Sequence, residues 1–303
     1  MDLIASQNPY HFLVLALAFS VGAVLGSFLN VVVYRLPKMM LREWHDQAIG
    51  IIEEVDQDAL LNQRSRRHLN ESAEPFNLSV PSSSCPNCSA RIRPWHNIPI
   101  LSWFMLRGRC ADCDTPISPR YPSVEFATAI LTMLVISQFG ATFQGIAACC
   151  FTWALIALAL IDFDTQLLPD DITLLFLWLG LIANFANLFV PLEEAFLGAI
   201  VGYMSLWTIY QLFKLVTGKE GMGFGDFKML AMLGAWLGLS AIPLIIIVSS
   251  FAGALIGGLL LLFGRSREKP IQYGPFLAIA GWIALMWNDE LTSLYLDLAF
   301  RSV

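Results

Sequence analysis

Two stretches of the chain, Phe126–Ile161 and Met229–Gly264, each run for 36 positions without a charged residue. A helix on the surface of a soluble protein keeps a polar face, and these runs have almost nothing to build one from. About 20 consecutive apolar residues are enough to cross the hydrocarbon core of a bilayer, so each run is long enough for a pair of short spans. Composition points the same way. Hydrophobic residues make up 56% of the chain and charged residues 14%, with a mean hydropathy of +0.63, against about 45–50% and about 25% in soluble proteins. These values exclude disordered and collagen-like chains and argue against an ordinary soluble enzyme. A net charge of −6 and a pI near 5.2 give no reason to expect a nucleic-acid partner.

Each long run has one break, at Gln138–Thr142 and at Ser240–Pro243, and is read as two spans. With His11–Tyr34, Ile172–Leu192, Ala195–Phe213 and Ile271–Asn288 this predicts an all-α polytopic membrane protein of about eight transmembrane helices. Residues 35–122 are different: they hold 11 of the 18 Lys and Arg and 10 of the 24 Asp and Glu. The expected organisation is a first helix over 1–34, an inserted domain over 35–122, and a membrane domain over 123–303. Lys and Arg mark the cytoplasmic face of a membrane protein. With both termini outside, 17 of the 18 basic residues fall inside, leaving Arg301. The first span reads as a retained helix and not a cleaved signal, because its basic residues Arg35 and Lys38 follow the apolar run and it is longer than a signal's apolar core.

Within the insert, Trp44, Ala48, Ile51, Ile52, Val55 and Ala59 recur at helical spacing and predict an amphipathic helix, packed on its own domain or lying on the membrane surface. Asn70–Ser84 is polar and rich in Ser and Pro, and reads as a loop. Cys85, Cys88, Cys110 and Cys113 form a C-x2-C-x21-C-x2-C pattern. Two such pairs can close a tetrahedral zinc site, and a reducing compartment argues against structural disulfides; a redox or metal-free role is the alternative. A four-thiolate site has no open coordination position and points to structure, not catalysis. Cys149 and Cys150 sit mid-span and read as packing residues.

Acids at membrane depth or at span ends are costly and are functional candidates by default. Asp162 directly follows an apolar helix and heads the sequence Asp162-Phe163-Asp164-Thr165-Gln166-Leu167-Leu168-Pro169-Asp170-Asp171. Asp226 follows the glycine-rich approach Gly221-Met222-Gly223-Phe224-Gly225. Two carboxylates brought together share one proton, which lets one act as base on water and the other as acid toward a scissile carbonyl. Spacing alone leaves a second meaning open: Asp164, Asp170 and Asp171 read as loop acids, Asp170 and Asp171 capping the next helix.

The motifs together resemble the bacterial type IV prepilin peptidases, the bifunctional leader peptidase/N-methyltransferases. The resemblance runs over nearly the whole chain, through Gly26-Ser27-Phe28-Leu29-Asn30-Val31 to Arg35-Leu36-Pro37, the double CxxC with Asn97–Trp103, and Leu106-Arg107-Gly108-Arg109-Cys110. It continues through Pro116–Glu125, the Asp162 to Asp170 turn and the Gly-x-Gly-Asp of Gly223–Asp226. It implies that Asp162 and Asp226 are the catalytic pair of a GxGD-type membrane aspartyl protease. It further implies cleavage of prepilin and pseudopilin leaders after a glycine, on the cytoplasmic side of a bacterial inner membrane. Methylation of the new N-terminal residue with S-adenosylmethionine would follow. The donor site is implied to lie in the insert, with Gly108 as a contributor; a turn glycine is the alternative, since no glycine fingerprint for a nucleotide is present. Glu125 either holds a substrate amine or anchors a helix end. The leaders are basic, so Asp164, Asp170 and Asp171 beside Asp162 could attract them.

Overall fold

The computed structural model describes residues 9–55, 75–263 and 272–300. Among them the chain is helical apart from turns and two isolated antiparallel bridges. In chain order the helices are α1 (Pro9–Val55), α2 (Leu101–Met105), α3 (Arg120–Phe139), α4 (Phe143–Thr165), α5 (Asp170–Phe185), α6 (Leu192–Thr217), α7 (Phe224–Leu237), α8 (Ala241–Leu262) and α9 (Gly274–Phe300). The breaks expected at Gln138–Thr142 and Ser240–Pro243 fall where α3 gives way to α4 and α7 to α8. Thr142 caps α4, its hydroxyl accepting from the Gly145 N–H at 3.1 Å.

Of the eight expected spans, five coincide with described helices that are long and apolar enough to cross a bilayer: α1, α3, α4, α6 and α8. At 16 and 14 residues, α5 and α7 fall short of the roughly 20 that a full crossing takes. The helix expected around Trp44–Ala59 is present as far as the described residues reach, but it is not an element of its own. Instead α1 continues from the first apolar run through Pro37 to Val55, and residues 56–59 lie outside the described part. Pro37 has not ended the helix.

The chain divides into two compact units, residues 22–128 and the remainder. In the larger unit, α7 is the innermost element, with every residue from Phe227 to Leu237 apart from Lys228 buried or nearly so. A helix apolar all round belongs inside a protein or a membrane, and here α5, α6, α8 and α9 surround it. Small residues let α6 come close, Gly198 and Gly202 facing the backbone of Gly234 and Leu230. The far end of α7 is fixed by two side chains. Trp236 stacks on Phe151 of α4 with ring centroids 4.5 Å apart and donates its indole N–H to the Phe176 carbonyl at 2.7 Å. Buried Asn184 donates to the carbonyls of Ala235 and Trp236 and accepts from the N–H groups of Phe189 and Val190, so none of its amide's polar atoms is left unpaired at a depth where that would cost most.

The smaller unit is built on the motif at Gly26–Pro37. Gly26 lies against the backbone of Glu125, where a Cβ would sit 2.7 Å from Cα, and Asn30 donates to the Tyr121 carbonyl. Arg35, buried, reaches the carbonyls of Asn77 and Pro81 at 2.9 and 2.6 Å beneath the Phe76 ring. These residues hold the insert's first loop on α1.

Candidate active site and metal centre

Asp162 sits at the end of α4 and Asp226 in the first turn of α7, 6% and 9% exposed. Each position has a local cause. Gln166 adopts a left-handed conformation (φ 58°) and donates its N–H back to the Asp162 carbonyl at 2.8 Å, ending α4 one turn beyond the acid. Gly223 is the N-cap of α7, which sets Asp226 three residues into the chain after it. The helix end and the helix start meet at Gly225, where a Cβ would lie 2.7 Å from Cβ of Leu168 in the turn that follows Asp162. The two acids are thereby brought together, and the Asp162 charge acts directly on Asp226.

The two glycines of the Gly-x-Gly-Asp sequence have different physical roles. A Cβ on Gly223 would meet nothing closer than Asp226 Oδ2 at 3.9 Å, while one on Gly225 has no room. Gly225→Ala is therefore expected to cost about 1–3 kcal/mol of overpacking and to lower turnover by displacing the start of α7. Gly223→Ala should be tolerated on both counts. Melting temperatures and turnover of the two variants side by side check this, and equal losses would mean the Leu168 contact is not what the glycine serves.

The neighbouring acids separate from the pair. Asp170 accepts from Lys228 Nζ through both carboxylate oxygens, at 2.8 and 2.7 Å, tying the start of α5 to the first turn of α7. The expectation that Asp170 and Asp171 cap the next helix needs correction: the N-cap position of α5 is Pro169, without a side-chain cap, and both acids lie in the first turn. There their charge favours the helix N-terminus. Cys149 is buried in the core of α4, as a packing residue would be.

Sequence reasoning missed one residue of the site. Gly274, 112 residues from Asp162, donates its backbone N–H to Asp162 Oδ2 at 3.0 Å. The only signal for it in the sequence is the Gly-Pro pair at a helix start, which by itself says nothing about a partner.

In the smaller unit, Cys85, Cys88, Cys110 and Cys113 place their four Sγ atoms within 4.8 Å of one another, none in a disulfide. A tetrahedral zinc with Zn–S of about 2.3 Å has S···S edges of about 3.8 Å, and Cys85 and Cys113 stand 3.8 Å apart. Each CxxC lies in a turn closed by one bridge, Ser84 with Arg91 and Arg109 with Pro116. A ribbon-like element is thus present in its shortest form. Backbone N–H groups of Cys88 and Asn87 lower the Cys85 thiol, and hydrogen bonding by the Thr115 hydroxyl and backbone lowers Cys113, toward the thiolates that a metal needs. The neighbouring sulfurs push Cys88 up to about 12. Asn87 joins the two turns, donating to the Thr115 hydroxyl at 2.8 Å. The donor set fits zinc.

Glu125, buried, accepts from the Ile100 N–H at 2.7 Å and is bonded to Ser27. Ile100 has φ 63°, a conformation that costs a β-branched residue. Glu125 therefore anchors the turn before α2. Gly108 has φ +67°, and a Cβ there would lie 2.9 Å from the Trp103 ring, whose indole N–H is held by the Ile117 carbonyl at 3.1 Å. Both features demand glycine, so the turn-glycine reading has a sufficient physical cause.

Fold and sites together define a polytopic helical membrane protein with a buried carboxylate pair and a four-thiol centre in an inserted unit. The chain belongs to the type IV leader peptidase family: residues 20–139 match the bacterial peptidase A24 N-terminal domain, and residues 149–258 match the type IV leader peptidase family itself. It is 49% identical to the prepilin leader peptidase/N-methyltransferase of Stutzerimonas stutzeri, over 97% of both chains. It is 48% identical to that of Pseudomonas aeruginosa, over 99% of this chain and 98% of the relative. The protein of the same name from Neisseria gonorrhoeae is 45% identical over 91% of each. No solved structure matches.

Proposed function

We propose that this protein cleaves the leader peptides of type IV prepilins and pseudopilins and then N-methylates the new N-terminal residue with S-adenosylmethionine as donor. The family membership supports both activities. The observation that carries the proteolytic half is the meeting of Asp162 and Asp226, buried, from two helix ends. Two adjacent carboxylates hold one proton between them. The ionised one takes a proton from water as its oxygen attacks the scissile carbonyl, and the protonated one donates to that carbonyl oxygen. As the C–N bond of the tetrahedral intermediate breaks, the proton taken from water passes to the leaving amine and a hydroxyl of the intermediate returns a proton to the other carboxylate, so the pair again holds one.

The new amine is the second substrate. Its lone pair takes the methyl group, the sulfonium carbon–sulfur bond breaks, and one amine proton leaves to solvent or a base. We place the donor in the insert, with Gly108 as a contributor through the turn it shapes. Cys85, Cys88, Cys110 and Cys113 would hold a structural zinc, which supplies a cross-link and no open coordination site. Charge distribution favours the insert and both aspartates on the cytoplasmic side, with both termini on the opposite face of the inner membrane. Asp170 is paired with Lys228, which reduces the charge it offers to a basic leader.

Mass spectrometry of a prepilin incubated with the purified protein tests both halves. Loss of the leader without donor, and a further gain of one methyl group only when S-adenosylmethionine is present, are the expected results. An uncut substrate in folded protein would end the proteolytic reading.

A further inference from the structure

The structure assigns Gly274 a positioning role: its backbone N–H holds the Asp162 carboxylate in the orientation and charge state required of the base. This rests on the reading of Asp162 and Asp226 as the catalytic pair and adds a third element, α9, to it.

The first N–H groups of a helix have no carbonyl one turn back to bond to, and in α9 positions 274–277 are all accounted for. Pro275 has no N–H. Those of Phe276 and Leu277 both go to the Tyr273 carbonyl at 3.1 Å. The one remaining, that of Gly274, goes to Asp162 Oδ2 at 3.0 Å. The helix start thus directs the Gly274 donor at one carboxylate oxygen. The contact leaves no space for a side chain, since a Cβ on Gly274 would sit 2.6 Å from that oxygen and 3.0 Å from Cγ. Tyr273 fixes the donor from the other side. Its hydroxyl is 2.7 Å from the Ser249 hydroxyl and 3.3 Å from that of Ser250, both on α8.

An N–H bond to a carboxylate favours the charged form, and a helix N-terminus adds to that preference. The bond therefore fixes the rotamer of the Asp162 oxygen that faces Gly274 and favours its charged form. The two acids are supported differently. Asp226 takes its backbone donor, Gly223, from its own helix entry, whereas Asp162 takes its donor from a distant helix. Among the described residues the ionisable group facing Asp162 from another element is Asp226 of α7, with Asp164 two residues further along α4 and exposed. The first turn of α9 contributes no acid, and Lys228 of α7 is engaged by Asp170.

The test removes the N–H without adding a side chain. It also weakens the Tyr273 carbonyl as an acceptor, and the control ester loses one of the bonds to that same carbonyl. Glycolic acid incorporated at position 274 of the full chain replaces the amide by an ester. A second ester, at position 277, removes an N–H of the same turn that does not reach Asp162. Leader cleavage is followed as kcat and KM across pH, and methyl transfer to a pre-cut pilin peptide reports that the protein is folded. The ester at 274 is expected to lower kcat about tenfold or more with KM unchanged. It should also move the acid limb of the profile toward higher pH, because the carboxylate has lost a donor to its charged form. The ester at 277 should leave the profile in place. Gly274→Ala, which pushes a methyl group into the same oxygen, should reproduce the loss in kcat. A wild-type profile for the ester at 274, or equal effects of the two esters, overturns the inference. Asp162→Asn separates it from its premise: if that variant still cleaves, the catalytic pair itself is wrong, and if it is inactive while the ester at 274 is normal, only the role of Gly274 fails.

Discussion

Asp162→Asn and Asp226→Asn are each expected to lower the rate of leader cleavage by at least about 10²–10⁴-fold, the usual worth of a positioned acid or base. Asparagine keeps the shape of the side chain but can neither exchange the shared proton nor carry the charge, so the loss reads chemistry more than packing. The double variant should be little worse than either single one, because residues that act as a unit do not contribute additively. Methyl transfer to a pre-cut peptide should survive in all three, provided they are folded. The wild-type pH profile should be bell-shaped, rising as the base ionises and falling as the acid loses its proton. Cleavage at an undiminished rate in either single variant would remove that residue from the mechanism.

Much of this arrangement is legible in the sequence, and what is not has a common cause. Apolar length places the helices, and the breaks near Gly140 and Ser240 divide the long runs correctly, because both features are local. The four cysteines converge as their spacing implies, each pair in its own tight turn. The pairing of Asp162 with Asp226 was reachable through the resemblance, and its geometric cause, Gly225 against Leu168, was not. Gly274 is illegible for the same reason. A glycine before a proline announces a helix start, and nothing in its neighbourhood says which helix end that start will face. Asn184 is another case: an amide in an apolar run, whose four partners lie on two other segments. The one local misjudgement concerns α1, which continues through Pro37 to Val55 instead of ending at the membrane face. There the proline's disruption is outweighed by the helix on both sides, and Arg35 and Lys38 find partners beside it in the segment 77–81 and the Tyr34 ring.

The second large effect is expected at the thiol centre. Over the described residues 75–119 the buried apolar side chain is Cys85, itself one of the four sulfurs, and neither the 3-10 turn at Pro94–Asn97 nor α2 buries any residue. A segment with so little apolar core needs a staple, and structural zinc supplies apparent binding free energies of about 10–16 kcal/mol at neutral pH, comparable to the whole stability of a domain. Purified under reducing conditions, the protein should carry one zinc per chain. The double variant Cys85→Ser with Cys88→Ser, or a strong chelator, should release it. Limited proteolysis should then cut within 75–119, which the loaded protein resists. Methyl transfer should be lost along with the fold of this segment. Leader cleavage should fall much less, because no group of the thiol centre takes part in the aspartate chemistry. Reduced protein that contains no zinc, or Cys variants whose insert stays resistant to protease, would show that these turns hold themselves together without a metal.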